Sequence, residues 1–271
     1  MIPVIIPHYK KKKQLEKCLN HLKNQTVEVE LFVRDNTVDN IYFTAAINEG
    51  IRNYLDHNNN YIIILNQDMY LESNAIEEMV KFMEVHPDCG IGTPLQVHNK
   101  YPDYVIYAGS YEAFPVGRHQ HGPLSLFTED TPIFWANGAC MILRKTMIQE
   151  IGLLDKNFIF IGSDSDYSFT ARSRGWQVWR IANARGIHEV GAAASVSDAG
   201  DASSSSEVNA HRDIELLKLN DMLYFAKKWL CGGLYGTLAY EGTKYTPDIV
   251  NAIMARLEAA KMARLKNATA Q

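Results

Sequence analysis

The fold is decided by the stretch Tyr61-Ile62-Ile63-Ile64-Leu65-Asn66-Gln67-Asp68, in which five apolar or aromatic residues are followed at once by three polar ones. A continuous apolar run of this length predicts a strand that is buried on both faces. Such a strand lies in a sheet covered by helices, and its polar tail falls at the carboxyl end. In open α/β sheets, ligands bind outside the carboxyl ends of the strands. We therefore expect Asn66 and Asp68 to face a ligand.

Short strands and amphipathic helices alternate on both sides of this stretch. The first helix is indicated by an apolar stripe at spacings of three and four residues. The third is preceded by Asn74 and Glu77, which are spaced as an N-cap and its capping-box partner. The alternation predicts an α/β fold with right-handed crossovers and a mainly parallel sheet. The predicted strands are residues 4–6 (stopped by Pro7), 27–33, 61–65, 134–143 and 176–181, and the predicted helices are residues 15–22, 45–55, 76–83, a short helix from Lys145, one beginning near Asp164 and a last one over 247–265.

The composition narrows the class of protein. The 271 residues are 46% apolar and carry a net charge of −4, which excludes a disordered or coiled-coil chain and argues against a general nucleic-acid-binding surface. Every apolar run is far shorter than the roughly 20 residues that cross a bilayer, and we expect no signal peptide ahead of the first strand. The four cysteines are far apart in sequence, which favours free thiols in a reducing compartment. The sequence predicts an intracellular, cytoplasmic protein.

Three segments depart from the alternating pattern. Residues 97–132 are rich in Pro, Gly, Tyr and His, and predict a long connection over the surface. Residues 191–206 are nearly all small, so we expect a flexible loop that becomes an ordered lid when ligand binds. Residues 207–271 are predicted to form a helical extension. Within it, residues 222–240 suit either a helix packed in the core or a helix resting on a membrane surface.

Polar residues follow the predicted strands, whereas glycine-rich phosphate loops are missing. The absence of such a loop after the first strand disfavours a dehydrogenase, a P-loop enzyme or a nucleotidyltransferase. The run Lys10–Lys13 suits either a phosphate contact or a solvated helix face. We interpret His119 and His121 as exposed loop histidines, because no third metal ligand is near them in sequence. The strand-end residues are His8, Tyr9, Asp35, Asn36, Asn66, Asp68 and Asn137.

Five motifs in this order resemble those of the family-two glycosyltransferases, which are inverting enzymes with a GT-A fold. The resemblance implies a Rossmann-like nucleotide-sugar-binding half over residues 1–96, joined to an acceptor-binding half over 97–190. It spans roughly residues 2–190 and, through Ala171–Trp176 and Ile187-His188, is most similar to the rhamnosyltransferase-like branch. The motifs are Ile5-Ile6-Pro7-His8-Tyr9, Val33-Arg34-Asp35-Asn36-Thr37, Leu65-Asn66-Gln67-Asp68, Asn137-Gly138-Ala139 and Phe160-Ile161-Gly162-Ser163-Asp164-Ser165-Asp166.

The resemblance also implies roles for individual residues. Asp164 matches the catalytic base, and Asp68 matches the residue that contacts a divalent cation (Mg²⁺ or Mn²⁺) on the donor diphosphate. His188 matches a position that helps to bind the metal or the diphosphate. The sequence departs from the family pattern at Asn66, in place of the first signature acid, and at Ser163, in place of the usual Glu before the base. The residues implied to bind the substrates are Pro7, His8, Tyr9, Asp35, Asn36, Asn66, Asn137 and Gly138.

The function that follows is inverting transfer of a sugar from a UDP- or dTDP-sugar to a hydroxyl of a glycan or lipid-linked acceptor. Such chemistry serves polysaccharide biosynthesis for the cell envelope, at the inner face of the membrane where the acceptor is lipid-linked. A carboxylate must remove the proton of the acceptor, and a cation must offset the charge of the leaving diphosphate. The alternative is a GT-A-like protein that binds nucleotide sugars but has lost catalysis, as Asn66 and Ser163 would suggest.

The helix that begins near Asp164 admits a structural role for its acidic residues as well. Acidic side chains in a first helical turn stabilise the helix dipole without any catalysis. If Ser163 is the N-cap, Asp166 takes the third helical position and closes a capping box. Asp164 is not needed for that box, and we expect it to point into the cleft.

Overall fold

The computed structural model describes residues 1–110, 119–189, 214–231 and 245–269. These ranges contain ten strands in one sheet and seven α-helices. The strands are β1 (Ile2–His8), β2 (Val29–Asp35), β3 (Tyr61–Leu65), β4 (Met69–Leu71), β5 (Cys89–His98), β6 (Tyr104–Tyr107), β7 (Gly122–Pro123), β8 (Thr131–Pro132), β9 (Cys140–Arg144) and β10 (Gln177–His188). The helices are α1 (Lys12–Lys23), α2 (Tyr42–Tyr54), α3 (Ala75–Val85), α4 (Lys145–Ile151), α5 (Ser163–Ser173), α6 (Ile214–Phe225), which continues into a π-helical turn (Ala226–Leu230), and α7 (Pro247–Thr269).

The α/β class is confirmed, but the sheet is mixed rather than mainly parallel. Its central order is β2-β1-β3-β9-β5-β10-β4, and β9 runs antiparallel to both β3 and β5. The reason is where the chain enters β9. Asn66, at the carboxyl end of β3, donates its backbone N–H to Ala139 O at 2.9 Å, so β9 starts at the carboxyl edge and runs back through the sheet.

The predicted central strand is observed at Tyr61–Leu65 and is buried on both faces. Ile63 points into a core that α1 and α3 cover, and Ile62 and Ile64 point into a core that α2, α4 and α5 cover. A third apolar cluster joins α6 and α7 to α5 and to the segment before β9. The C-terminal helices are therefore part of the folded domain.

The prediction that Pro7 stops the first strand is wrong. Ile2 donates its backbone N–H to Glu28 O on the β2 side, so the nitrogens of odd-numbered residues of β1 face β3. Because β3 pairs with β1 only at Val4 and Ile5, the missing N–H of Pro7 interrupts no hydrogen bond and the strand continues to His8.

The predicted strand over 134–143 begins only at Cys140. The segment before it is irregular because its amides bind side chains instead of a neighbouring strand. Ala136 N donates to Ser168 Oγ at 3.2 Å, and Gly138 N donates to Asp164 Oδ2 at 2.8 Å. This irregular backbone contacts the acidic helix directly.

Neither predicted capping box is present. Asn74 makes no side-chain capping bond at α3, where Gln25 Oε1 instead accepts the Ile76 N–H at 3.2 Å. Glu77 is turned outward and accepts a hydrogen bond from Thr26 Oγ1 at 2.7 Å. A side chain that is distant in sequence caps this helix, which local spacing does not reveal.

At α5 the N-cap is Gly162, whose φ of 83° lies in the left-handed region, and Ser163 is the first helical residue. Asp166 is thereby moved one position along the helix, and its backbone N–H bonds to Gly162 O at 2.9 Å. Its carboxylate reaches the C-terminal segment, accepting from Trp229 Nε1 and Lys228 Nζ at 2.7 Å each.

Residues 97–110 and 119–132 are more regular than expected. β5 continues to His98, and β6 pairs with β5 and with β7 to extend the sheet. Tyr107 and Val105 of β6 are buried and provide the apolar face that this pairing needs. His121 is exposed as expected, but His119 is half-buried against the Trp135 ring.

One of two predictions for the C-terminal part is tested in part, and the other is not tested. The flexible loop or lid predicted over 191–206 lies outside the described residues. Of residues 222–240, the described part up to Cys231 is packed in the core, with Phe225 and Ala226 fully buried. None of the described helices combines the length and the hydropathy needed to cross a membrane.

Candidate active site

The turn after β3 holds the loop after β1. Gln67 Oε1 accepts a hydrogen bond from the Tyr9 N–H at 2.9 Å and lies 2.7 Å from His8 Nδ1. Its Nε2 donates to Tyr9 O at 3.3 Å and to Gln14 Oε1 at 3.4 Å. One amide side chain therefore fixes the loop that leads from β1 into α1.

The end of β2 meets the same loop. Asn36 donates its backbone N–H to His8 O at 2.7 Å, and its buried Oδ1 has no hydrogen-bond partner among the described residues. Asp35 is exposed, and its Oδ1 accepts the Thr37 N–H at 2.8 Å. Hydrogen bonding to Thr37 lowers the pKa of Asp35, so this carboxylate is ionised at neutral pH. Pro7 lies within β1, opposite Arg34 of β2.

Asp68 and His188 lie side by side at the carboxyl edge. β4 runs antiparallel to β10 and places Met69 opposite His188. Asp68 is 5% exposed, and its Oδ1 lies 3.6 Å from His188 Nε2. The Glu189 N–H donates to Asp68 O at 3.0 Å, which closes the end of β10 onto this turn.

Gln96 and Asn137 set the orientation of His188. Ala139 donates its backbone N–H to Asn137 Oδ1 at 3.3 Å, which identifies that atom as the oxygen of the side-chain amide. Gln96 Nε2 then donates to Asn137 Oδ1 at 2.5 Å, so Gln96 Oε1 is the atom 3.0 Å from His188 Nδ1. His188 therefore donates its Nδ1–H to Gln96 Oε1, and Nε2 is the ring nitrogen that faces Asp68.

Asp164, the second residue of α5, lies half-buried at the other end of this network. Its Oδ2 accepts the Gly138 N–H and its Oδ1 accepts the Ser165 N–H, each at 2.8 Å. Burial raises the pKa of Asp164 above its ordinary value, and the two amide hydrogen bonds oppose that rise.

Most of the predicted site residues thus fall into two adjoining groups. The first contains His8 and Tyr9 after β1 and Asn36 after β2, and the second contains Asp68 and His188. Gln67 binds the first group and is followed in the chain by Asp68 of the second. The peptide from Asn137 to Gly138 continues this chain of contacts to Asp164. Asn66 takes part through its backbone, accepting the Met69 N–H at 3.1 Å in the turn between β3 and β4.

Sequence reasoning missed two residues that organise the site. Gln67 is the middle residue of the motif Asn66-Gln67-Asp68, and nothing in the motif predicts that its side chain holds the β1 loop. Gln96 was not singled out, although it is fully buried within the apolar strand β5. A lone amide in a buried strand is a signal that sequence offers, because a buried polar group must find hydrogen-bond partners.

The candidate metal ligands are few. Among the described residues, no third His, Cys, Asp or Glu joins Asp68 and His188 to form a metal-binding group. A cation that keeps most of its coordination for water and substrate phosphate oxygens needs only one or two protein ligands. Two protein ligands are therefore enough for a cation of this kind.

Comparison with known proteins identifies the family of the chain. A sequence model of the family described as "Glycosyltransferase like family 2" matches residues 36–199, which is more than half of the chain. The chain belongs to this family. The matched range includes Asp68, Asp164 and His188, whereas the β1 loop with His8 and Tyr9 lies outside it. A search of curated proteins finds no match.

Solved structures of glycosyltransferases share the fold, and with it the GT-A architecture is confirmed. GalNAc-T7 with UDP, GalNAc and Mn²⁺ superposes with a TM-score of 0.56 and 15% identity, over 70% of this chain and 43% of that one. S. aureus TarS gives 0.51 and 14%, over 84% of this chain and 39% of that one. The 1–349 fragment of TarS gives the same TM-score and identity, over 94% of this chain and 70% of the fragment. The chain thus spans less than half the length of GalNAc-T7 and of TarS.

Proposed function

We propose that this glycosyltransferase-family chain transfers a sugar, with inversion, from a nucleotide-diphosphate donor to a hydroxyl of a glycan or lipid-linked saccharide. The observation that carries the proposal is the unbroken set of contacts from Asp68 and His188, through Gln96 and Asn137, to Asp164. It joins residues suited to a diphosphate with a carboxylate suited to proton removal at one edge of the sheet.

The donor nucleotide is assigned to the loop after β1 and the end of β2. Asn36 Oδ1, a buried acceptor with no partner in the described part of the chain, is an atom that a base N–H or a ribose hydroxyl would satisfy. The ionised Asp35 carboxylate and the β1 loop held by Gln67 are assigned to the same nucleotide site. A UDP- or dTDP-linked sugar suits this set, and the resemblance to the rhamnosyltransferase-like branch makes a hexose or a deoxyhexose the first class of donor to test.

A divalent cation, Mg²⁺ or Mn²⁺, fits between Asp68 and His188. When bound with the donor it would offset the charge that develops on the leaving diphosphate. His188 suits this role because Gln96 accepts its Nδ1–H, which leaves Nε2, the nitrogen facing Asp68, as the atom that would bind the cation. With Asn66 in place of a second acid, we expect little cation affinity without nucleotide.

Asp164 is assigned as the general base. A carboxylate whose pKa is raised by burial is a stronger base than an exposed one. The amide hydrogen bonds from Gly138 and Ser165 fix its orientation, so it can accept the proton of the acceptor hydroxyl as that oxygen attacks the anomeric carbon. Attack from the face opposite the diphosphate inverts this carbon.

The test is a screen of the purified protein against UDP-, dTDP- and GDP-sugars, with and without saccharide acceptors and Mn²⁺. We expect acceptor-dependent turnover of one donor, with inverted configuration in the product by NMR. A retained configuration would contradict the proposed mechanism. Tight donor binding without turnover in any combination would favour the alternative, a nucleotide-sugar-binding protein that has lost catalysis.

A further inference from the structure

Three consecutive amides of the loop before α5 converge on one carboxylate. Ile159 N donates to Asp221 Oδ1 at 3.1 Å, and Phe160 N and Ile161 N donate to Asp221 Oδ2 at 2.7 and 2.9 Å. Asp221 lies on α6, 62 residues after Ile159 in the chain, and is 3% exposed. A residue of the C-terminal segment therefore holds the backbone of this loop.

Packing alone does not require a carboxylate at this position. α6 already buries Leu223 and Phe225 against Phe158 and Phe169. Removing a carboxylate from water is costly unless hydrogen bonds compensate it. For Asp221 that compensation comes from the loop amides, which oppose the rise in its pKa that burial causes. The Asp221 carboxylate thus binds the loop and makes no capping bond to its own helix among these contacts.

The loop leads directly to Asp164. Ile161 is followed by Gly162, the left-handed N-cap of α5, and Asp164 is the second residue of that helix. The backbone between the last held amide and Asp164 is three residues long. A shift of the loop would therefore shift the first turn of α5 and, with it, the carboxylate.

The loop also contacts the end of the site that contains Asn36, where the donor nucleotide is proposed to bind. The Phe160 ring packs edge-on against the Tyr42 ring, with the centroids 6.0 Å apart. Tyr42 is the first residue of α2, and its carbonyl oxygen accepts a hydrogen bond from Asn36 Nδ2 at 3.5 Å. On the other side, Lys218 Nζ lies 5.8 Å above the Phe160 ring. The Phe160 ring thus lies between Tyr42 of α2 and Lys218 of α6.

We propose that Asp221 is a positioning residue for sugar transfer: by binding the amides of Ile159–Ile161 it fixes the start of α5 and the orientation of the Asp164 carboxylate. The inference rests on the proposed function, in which Asp164 is the general base. It makes the C-terminal helical segment part of the catalytic machinery as well as part of the core.

The test compares Asp221→Asn with Asp155→Asn in the full chain. Asn keeps the shape of Asp221, but its Nδ2 cannot accept the loop amides. Asp155 is a matched control, because its carboxylate also binds this segment, accepting from Tyr224 OH and Lys228 Nζ at 2.9 Å each. For Asp221→Asn we expect kcat to fall about 10- to 100-fold with an unchanged donor KM, and the amides of 159–161 to exchange faster with solvent. For Asp155→Asn we expect a lower melting temperature without this fall in kcat.

The outcomes separate this inference from the proposed function. A wild-type rate for Asp164→Asn would overturn the proposed function itself. A slow Asp164→Asn together with a wild-type kcat for Asp221→Asn would overturn the positioning role alone, and so would equal kcat losses in Asp221→Asn and Asp155→Asn. Should Asp221→Asn fail to fold, Asp221→Glu takes its place, since it keeps the carboxylate but displaces it by one methylene. A lower kcat at unchanged donor KM supports the role, and a wild-type kcat overturns it.

Discussion

Two aspartates separated by one residue, Asp164 and Asp166, differ in what their carboxylates contact. Asp164 binds two backbone amides at the carboxyl edge of the sheet, whereas Asp166 binds Trp229 and Lys228 of the C-terminal segment. Burial raises the pKa of both groups. The direction of the pKa shift therefore does not separate the two residues. Their contacts do, because Asp164 lies in the candidate site and Asp166 joins α5 to the C-terminal segment.

We predict that Asp164→Asn lowers kcat for transfer by about 10²- to 10⁴-fold, because the isosteric amide cannot accept the acceptor proton. Donor affinity, measured by calorimetry, should change little. The matched substitution Asp166→Asn should act on stability, lowering the free energy of unfolding by about 1–3 kcal/mol because Trp229 and Lys228 lose a charged acceptor. The assignment fails if both variants transfer sugar equally well.

The raised pKa of Asp164 predicts how transfer depends on pH. A base must be ionised, so kcat at saturating donor should fall as pH drops through a pKa above the ordinary 3.8 of Asp. Folding responds in the opposite direction. A carboxyl whose folded-state pKa is raised binds its proton more readily in the folded state, so its contribution to stability is present at low pH and is lost as pH rises through that pKa.

Loss of activity should therefore precede acid unfolding. The measurement is kcat and melting temperature at matched pH values between neutrality and pH 4. A melting temperature that falls together with kcat would attribute the activity loss to unfolding and not to titration of Asp164.

The network around His188 yields a third prediction at the residue scale. Gln96→Met keeps the volume of the side chain but removes the acceptor that holds His188 Nδ1–H. We expect Mn²⁺-dependent binding of the nucleotide to weaken about 10- to 100-fold by calorimetry. Thr93→Val is the control on the same strand, because it breaks a buried hydrogen bond to Cys140 O (2.9 Å) away from His188. Equal Mn²⁺ affinity in wild type and Gln96→Met would contradict this role.

At the scale of elements, sequence periodicity predicted the helices and central strand better than it predicted their ends. β3 is observed at its predicted bounds, because a run buried on both faces has an unmistakable apolar pattern. The ends of α3 and α5 depend on Gln25 and on the left-handed Gly162, which local capping rules did not anticipate. Strand direction was also missed, since periodicity is the same for parallel and antiparallel strands.

The packing of α2 on β1 gives a prediction for this scale. A Cβ at Gly50 would lie 2.5 Å from Ile5 Cγ2, and Ile5 is fully buried. Gly50→Ala should therefore lower the free energy of unfolding by about 1–3 kcal/mol, although Ala favours helix more than Gly does. Chemical denaturation measures this difference, with the exposed Arg52→Ala on the same helix as control. Restored stability in Gly50→Ala/Ile5→Val would identify the clash as the cause, whereas a Gly50→Ala variant as stable as wild type would contradict it.

At the scale of the whole molecule, the sequence predicted the α/β class and a GT-A fold through its resemblance to family-two glycosyltransferases, and both are confirmed. The roles proposed for the site residues remain predictions. The contacts made by the C-terminal segment were not foreseen, because they join residues about 60 positions apart, such as Asp166 with Trp229. No periodicity within either segment encodes such a pair, and only the folded chain brings them together.

The C-terminal helices complete the core of the domain, and their removal should show it. Phe134, Trp135, Phe158 and Phe169 are all at most 3% exposed and pack against α6, the π-helical turn and α7. A chain ending at residue 213 would expose these aromatic faces, and large exposed apolar patches lead to loose packing or aggregation. We expect this truncation to bind the dye ANS and to lose its cooperative thermal transition.

A second truncation is the control: it shortens the chain without removing buried side chains of the described residues. Residues 262–266 of α7 are exposed, so a chain ending at Lys261 removes no buried side chain of the described residues. It should unfold cooperatively within a few degrees of the full chain, because exposed side chains bury little apolar area and so contribute little to stability. Matching cooperative transitions in the chain ending at residue 213 and in the full chain would show that residues 1–213 are stable without the segment that carries Asp221. The apolar contacts between them would then contribute little to folding.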